Sequence, residues 1–277
     1  MDDLFADVPH RAQGIRCGIG GWTFAPWRDN FYPRGLLQRR ELEFASRQLN
    51  AIEVNGTFYG AQSPATYAAW RAQTPEGFVF ALKAPRQIVG ARTLAGTRAQ
   101  VAAFVDGGIA ELGDRLGPVL WQFAPQRRFD PDDIAAFLDL LPDAVDGLPL
   151  RHALELRHPS FQSAAWLRLA RERGVATVFT DSPEYPSFAD LTGALVYARL
   201  MSSRDEHPQG YPGLQLDAWA ARARQWAAGH APADLPYAGA RDAAPVMPRE
   251  TFVFFIAAAK ARNPAAAMAL QQRIDAG

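Results

Sequence analysis

The sequence predicts a single α/β domain folded as a TIM-like (β/α)8 barrel. Eight short apolar runs recur along the 277 residues, and longer segments with helical spacing lie between them. Strands that alternate with helices are typical of βαβ units and of a parallel sheet. Eight units in a chain of this length correspond to about 35 residues each, which is close to what such a barrel uses.

The predicted strands and helices follow each other in regular order. The apolar runs span residues 15–20, 51–58, 78–83, 119–123, 152–157, 176–181, 195–200 and 251–256. The main helix candidates span residues 36–49, 64–74, 96–116, 131–140, 164–173, 216–228 and 264–276. Ser63 and Asp130 each precede a proline, which predicts a capped helix start. Residues 1–14 precede the first run, so they are interpreted as an N-terminal tail, and the barrel domain is predicted over 15–277.

A glycine-rich segment follows the first strand and raises the alternative of an open, doubly wound sheet. Such sheets usually carry a G-x-G-x-x-G phosphate loop at this place. Residues 18–23 read GIGGWT, so the third glycine of that motif would fall on Thr23. The match fails at that position, and we therefore favour the barrel.

Composition excludes several classes of protein. The chain has 29 basic and 29 acidic residues and is 48% hydrophobic, which argues against disorder and against a main task of gripping a polyanion. Cys17 is the single cysteine, so an internal disulfide or a multi-cysteine metal site is excluded. No run of about 18 apolar residues and no signal peptide is apparent, which predicts a cytoplasmic protein with no membrane partner. Only Lys83 and Lys260 are lysines, a bias interpreted as compositional drift.

Polar side chains are predicted to gather at the carboxyl-terminal mouth of the barrel. Alternate residues of a strand share one face, and in the second run Glu53, Asn55 and Thr57 oppose apolar neighbours. In the sixth run Asp181 is placed in the inward set with Thr177. The polar residues predicted to point into the mouth are Glu53, Asn55, Thr57, Lys83, Gln122, Glu155, Arg157, Asp181 and Arg199.

These residue types point to an anion site with acid/base chemistry. Three cations can hold a phosphate or carboxylate group, namely Lys83, Arg157 and Arg199. Three carboxylates are candidate general acids or bases, namely Glu53, Glu155 and Asp181. The alternative is a ring of ion pairs that closes the barrel mouth without chemistry, because buried charges must be paired.

Three further residues are assigned by their position at strand ends. His158 follows the fifth strand and is a candidate for ligand binding or proton transfer, or else a histidine that bonds its own loop. Trp22 and Tyr59 are candidates for lining the pocket beside Asn55, Thr57 and Gln122.

A metal site is considered and not favoured. Glu53, Glu155, Asp181 and His158 are of the types that bind divalent cations, but three nearby protein cations compete for the carboxylates. The cofactor is left unknown.

Several motifs, in order along almost the whole chain, resemble a known family. They are the segments at residues 17–22, 31–33, 52–59, 80–85, 122–123, 155–161 and 180–183. The sequence resembles the domain of unknown function DUF72, also called the YecE-like family. The resemblance implies a TIM-like barrel, similar in shape to the xylose isomerase and endonuclease IV group, and implies no particular activity.

The chain departs from that family pattern at three strand ends. Met201-Ser202 stand where the family usually has His-Gly after the arginine of strand seven. Ile256-Ala257 replace paired asparagines after strand eight, and Val89-Gly90 replace Thr-His after strand three.

The leading functional hypothesis is a barrel enzyme, a hydrolase, lyase or isomerase, acting on a small anionic or polyhydroxylated ligand. One alternative is a nucleic-acid phosphodiester enzyme or DNA binder, by fold analogy with endonuclease IV. Another is a non-enzymatic ligand-binding protein. The oligomeric state is left open.

Overall fold

Parallel strands surround a central axis in the computed structural model, which describes residues 14–277. The strands in this barrel are β1 (Ile15–Gly20), β2 (Ala51–Val54), β3 (Val79–Lys83), β4 (Leu116–Gln122), β7 (His152–Glu155), β8 (Ala176–Thr177), β9 (Phe179–Thr180), β10 (Leu195–Leu200) and β11 (Glu250–Phe255), and a separate hairpin is formed by β5 (Ala144–Val145) and β6 (Leu148–Pro149). The sheet order is β8-β7-β4-β3-β2-β1-β11-β10-β9, and it forms a nearly closed barrel. Because Val178 alone separates β8 from β9, the two form the sixth of eight strands. The predicted barrel is confirmed, and the predicted tail lies, apart from Gly14, outside the described residues.

Helices follow most strands and cover the outside of the barrel. The α-helices are α1 (Glu41–Gln48), α2 (Gly56–Tyr59), α3 (Pro64–Gln73), α4 (Arg86–Val89), α5 (Arg98–Val105), α6 (Pro131–Leu138), α7 (Ala164–Glu172), α8 (Gly213–Ala227) and α9 (Asn263–Asp275). The 3-10 helices are Ala25–Asp29, Gln38–Arg40, Leu94–Thr97, Ile109–Arg115, Pro159–Phe161, Arg241–Ala243 and Lys260–Arg262. As predicted, Ser63 Oγ accepts from Thr66 N, and the Asp130 carboxylate accepts from the N–H groups of residues 132 and 133.

Two predicted elements are shorter than the apolar pattern suggested. The second strand ends at Val54, and residues 56–59 form the single turn of α2 instead of extending the strand. The long helix predicted over 96–116 is divided at Gly108, whose φ of 106° lies in the left-handed region. The short hairpin of β5 and β6 was not predicted.

The barrel interior is filled by small residues on one side and aromatic rings on the other. Ala51, Ala81 and Ala153 belong to the inner cluster, together with Tyr197 and Phe254. The Tyr197 and Phe254 rings lie 5.1 Å apart between centroids. Large side chains opposite small ones fill a barrel of fixed radius. The apolar interior therefore separates the polar groups of the carboxyl-terminal mouth from the ion pairs of Arg16 and Arg151 with Glu250 at the opposite end.

The glycine-rich segment is explained by this packing. Gly18 lies inside the barrel, where a Cβ atom would stand 2.2 Å from the Ala51 carbonyl oxygen and 2.9 Å from the Phe254 ring. Glycine here permits close approach of two strands and an aromatic ring, which is a different use from a phosphate loop.

Candidate functional site

The strands bring inward polar side chains together at the carboxyl-terminal mouth. Gln122 is the register partner of Glu155, and Arg199 is the register partner of Thr180. Neighbouring residues of a parallel sheet point to the same side, so these side chains project together into the barrel. The inward charged or amide side chains near the carboxyl ends of the strands are Glu53 (β2), Lys83 (β3), Gln122 (β4), Glu155 (β7) and Arg199 (β10). We call these five residues the mouth cluster.

Arg199 bridges the two carboxylates of the mouth cluster. Its Nε donates to Glu53 Oε2 and its Nη2 to Glu53 Oε1, both at 2.9 Å, and its Nη1 donates to Glu155 Oε2. All three residues are almost completely buried. The predicted cation is therefore present at the mouth, but its guanidinium is occupied by protein carboxylates and is not available to hold a ligand.

Glu155 is held by three donors. Besides Arg199, Gln122 Nε2 donates to Glu155 Oε2 at 2.8 Å, and Arg157 Nε donates to Glu155 Oε1 at 2.5 Å. Burial alone would raise the pKa of Glu155, but Arg199, Arg157 and the hydrogen bonds outweigh it, and the pKa lies below its usual value. This carboxylate therefore stays ionised at neutral pH.

Glu53 has a partner that sequence reasoning missed. Tyr197 OH donates to Glu53 Oε2 at 2.8 Å, and Asn55 Nδ2 lies 3.4 Å from Glu53 Oε1. Burial, and next the charge of Glu53, raise the pKa of Tyr197 well above its usual value, so the phenol remains a donor. The signal was available, because Tyr197 shares the inward face of β10 with Arg199.

Lys83 differs from the other charged members of the mouth cluster because its amine has no polar partner. Its side chain is 7% exposed, and Nζ forms no hydrogen bond or ion pair with any residue that the structure describes. The ring of Phe58 lies over Nζ, 4.1 Å from the ring centroid. Burial lowers the pKa of Lys83 to about 8, with Arg199 and Arg157 adding to the effect and the two glutamates opposing it.

A cleft opens beside Gln122 of the mouth cluster. It has a volume of about 490 Å³, and its lining includes Gln122, Arg157, Phe58 and Arg86. Gln122 and Arg157 are also the residues that bind Glu155, so the cleft floor is continuous with the buried charges. A second groove of about 350 Å³ lies beside it and shares Phe58 and Arg86.

Three residues predicted to line the pocket, Thr57, Tyr59 and Trp22, have different surroundings in the structure. Thr57 Oγ1 donates to the Lys83 carbonyl oxygen at 2.6 Å and so positions the end of β3. Tyr59 is 76% exposed and lines the second groove. Trp22 packs edge-on against Trp70 of α3, with centroids 5.1 Å apart, which places its ring among the outer side chains.

Asp181 is not brought into the mouth cluster, contrary to the expectation from alternation. Its carboxylate accepts from Met201 N and, at 3.2 Å, from Tyr211 OH. The register of Thr180 with Arg199 shows that Thr180 is the inward residue of this strand end, so Asp181 faces the other way. Thr180 Oγ1 is buried and has no hydrogen-bond partner among the described residues.

His158 is used by its own loop. Its Nδ1 accepts from Ser160 N at 3.1 Å and lies 2.8 Å from Ser160 Oγ, and the residue caps the 3-10 helix Pro159–Phe161. This contact corresponds to the alternative that His158 bonds its own loop.

Within residues 14–277, no three His, Cys, Asp or Glu side chains come together as a metal site would require. In the same part of the chain, no helix is long and apolar enough to span a membrane.

Comparison with known proteins identifies the family of this barrel. The model of the family described as "Protein of unknown function DUF72" matches residues 16–277. The chain belongs to the DUF72 family. The chain matches no curated protein.

Two solved DUF72 structures share the fold. A DUF72 family protein from Thermotoga maritima MSB8 is 19% identical, with a TM-score of 0.71 over 94% of this chain and 99% of its own. A DUF72 family protein from Enterococcus faecalis V583 is 16% identical, with a TM-score of 0.66 over 94% of this chain and 95% of its own. Likeness at this level of identity establishes the barrel and leaves the chemistry to be argued from this chain's own residues.

The DUF72 departures lie around the same mouth. Gly90 and Val89 line the cleft above Gln122. Ala257, after β11, has a φ of 58° and Ala258 a φ of 46°, a left-handed conformation that asparagine adopts more readily than alanine. Of the strand-eight departure Ile256-Ala257, it is Ala257 whose backbone conformation favours asparagine.

Proposed function

We propose that this DUF72 protein is an enzyme that binds a small anionic, polyhydroxylated ligand in the mouth cleft and carries out acid/base chemistry on it. The observation that carries the proposal is the shared floor, because Gln122 and Arg157 line the cleft and both hold Glu155 of the mouth cluster. A cleft of about 490 Å³ suits a small metabolite.

Arg157 is the group suited to hold the anion. Its Nε is bound to Glu155, and its guanidinium stacks 4.2 Å from the centroid of the Tyr185 ring. Its two Nη atoms form no hydrogen bond with any described residue, and the side chain is 18% exposed. A guanidinium oriented by a carboxylate and a ring is preorganised for a phosphate or carboxylate group. Arg86 also lines the cleft and adds positive charge.

Gln122 is suited to recognise a hydroxyl group. Its amide nitrogen is committed to Glu155, which leaves its carbonyl oxygen to accept from a ligand O–H at the cleft floor. This arrangement favours ligands that carry hydroxyl groups next to an anionic group.

Lys83 is the proton-transfer group in this proposal. Glu53 and Glu155 are each held by Arg199 and by further donors, so their oxygens are committed to protein groups and are not available to a ligand. The Lys83 pKa of about 8 allows its amine to exist in both protonation states near neutral pH, as a general acid or base requires.

Arg157→Gln is expected to weaken binding of ribose 5-phosphate roughly tenfold to a hundredfold, because a charged hydrogen bond contributes about 1.5–3 kcal/mol. Isothermal titration of the wild type and variant measures the change, with ribose as the uncharged comparison. Arg168→Gln, an exposed position on α7, is the matched control and should leave affinity unchanged. Equal affinity in wild type and Arg157→Gln, or equal binding of ribose and its phosphate, would contradict the anion site.

A further inference from the structure

Lysine is rare in this chain, and one of its two lysines lies in the mouth cluster. Only Lys83 and Lys260 occur among 29 basic residues, and all the others are arginine. Arginine remains protonated in proteins, whereas a buried lysine can lose its proton and act as a nucleophile. At the position of Lys83, lysine therefore provides an amine that can lose its proton, which arginine would not provide.

The surroundings of Lys83 favour a neutral amine. No carboxylate lies within ion-pair distance of Nζ among the described residues, and burial disfavours the charged form of the amine. The charges of Glu53 and Glu155 and the Phe58 ring over Nζ act in the opposite direction, but the pKa of Lys83 still lies below its usual value. Arg199 and Arg157 together balance the charges of the two glutamates, so neither carboxylate is left free to pair with an ammonium group. The low pKa of Lys83 agrees with this geometry.

We propose that Lys83 forms a reversible imine with the aldehyde or keto group of an anionic ligand bound in the mouth cleft. This inference rests on the proposed function for the anionic group, which Arg157 would hold, and it adds the carbonyl group to the substrate class. Thr180 Oγ1, next to Arg199 in the strand register, is a second buried polar group without a protein partner in the described residues.

The step balances without an oxidant or a metal. The amine lone pair forms a bond to the carbonyl carbon, the π electron pair of the carbonyl moves to oxygen, and a proton passes from nitrogen to that oxygen. Loss of water then takes the hydroxyl group from carbon and the remaining proton from nitrogen, which leaves a C=N bond. An imine nitrogen, once protonated, acidifies the neighbouring C–H, and this connects the covalent step to acid/base chemistry.

Phe58 controls access to the amine. Its ring covers Nζ at 4.1 Å and also lines the cleft, so it separates Lys83 from the ligand volume. Phe58 is half-buried and belongs to α2, which is a single turn of helix. A carbonyl group reaches Nζ when this ring turns aside.

The experiment is reductive trapping with glycolaldehyde phosphate and sodium cyanoborohydride, followed by peptide mapping by mass spectrometry. Lys260 is an internal control, since its Nζ also packs on an aromatic ring, 4.5 Å from the centroid of Phe24. Burial lowers the pKa of Lys260 as well as that of Lys83. Lys83 is nevertheless expected to be labelled roughly tenfold faster than Lys260, because the phosphate bound by Arg157 would hold the aldehyde close to Lys83. Glycolaldehyde without phosphate should label Lys83 more slowly, and Phe58→Ala should speed labelling at Lys83 only.

The outcomes separate this inference from the proposed function. Labelling of Lys260 at a rate equal to that of Lys83 overturns the imine, even where ribose 5-phosphate still binds through Arg157. Fast labelling of Lys83 by both probes alike, unchanged in Arg157→Gln, confirms the nucleophile and overturns the anionic specificity. Lys260→Arg should retain labelling at Lys83, and Lys83→Arg should lose it. Where Lys83→Arg fails to fold, the peptide map of the wild-type protein still shows which lysine is labelled.

Discussion

Arg199→Met is expected to lower the free energy of unfolding by about 3–5 kcal/mol, because it leaves two buried carboxylates without their shared cation. In the native protein Arg199 makes three hydrogen bonds to Glu53 and Glu155, and all three residues are almost fully buried. Urea unfolding followed by circular dichroism measures the change.

Two comparisons make the Arg199 result specific. Adding Glu53→Gln and Glu155→Gln to Arg199→Met should recover part of the lost stability, since the unpaired charges are then removed. Arg173→Met, which breaks a surface pair with Asp139 at 2.7 Å, should change stability by less than about 1 kcal/mol. If Arg199→Met lowers the free energy of unfolding by no more than Arg173→Met does, the charged side chains of the mouth cluster are not electrostatically coupled.

Gly18→Ala is expected to destabilise the barrel by roughly 3 kcal/mol or more, or to prevent folding. The new Cβ would lie 2.2 Å from the Ala51 carbonyl oxygen, and a backbone atom inside a closed barrel cannot move away without breaking the β1–β2 pairing. Thermal and urea unfolding of the purified variant report the loss.

Gly56→Ala is the matched control for Gly18. A Cβ atom on Gly56 would meet no atom within 4 Å beyond its chain neighbours and its own helix backbone. Gly56 begins the short helix α2, so alanine should be tolerated within about 0.5 kcal/mol. Equal stability of the Gly18 and Gly56 variants would mean that the close contact between β1 and β2 is wrong.

The sequence predicted the barrel well because its signals are redundant. Apolar runs, helix caps at Ser63 and Asp130, and the spacing of eight units all indicate the same architecture. The inward positions of Glu53, Lys83 and Arg199 were also predicted, since each alternates with apolar residues that pack against the helices.

The sixth strand shows where alternation fails. Ala176, Val178 and Phe179 are all apolar, because a strand of a parallel barrel is buried on both faces, and the pattern does not say which face is inside. Asp181 was therefore placed inside in error, and Thr180 takes that position. The sequence could not predict which charged residues pair at the mouth, since Lys83, Arg157 and Arg199 could pair with several carboxylates in many arrangements.

The scarcity of lysine changes its meaning once the structure is known. As composition alone, two lysines among 29 basic residues indicate drift towards arginine. In the folded chain, Lys83 is buried, unpaired and beneath a cleft, where arginine would not provide the same chemistry.

The pKa of Lys83 tests the central claim, that the mouth holds an unpaired amine that titrates near neutral pH. Protein labelled with 13C-lysine contains two lysine side chains, and Lys260→Arg assigns their signals. In an NMR titration, the chemical shift of the Lys83 ε-carbon should change with pH, with a midpoint at about 8. A midpoint near the ordinary value of 10.5 would contradict the account, because the amine would then be a paired or solvated ammonium group.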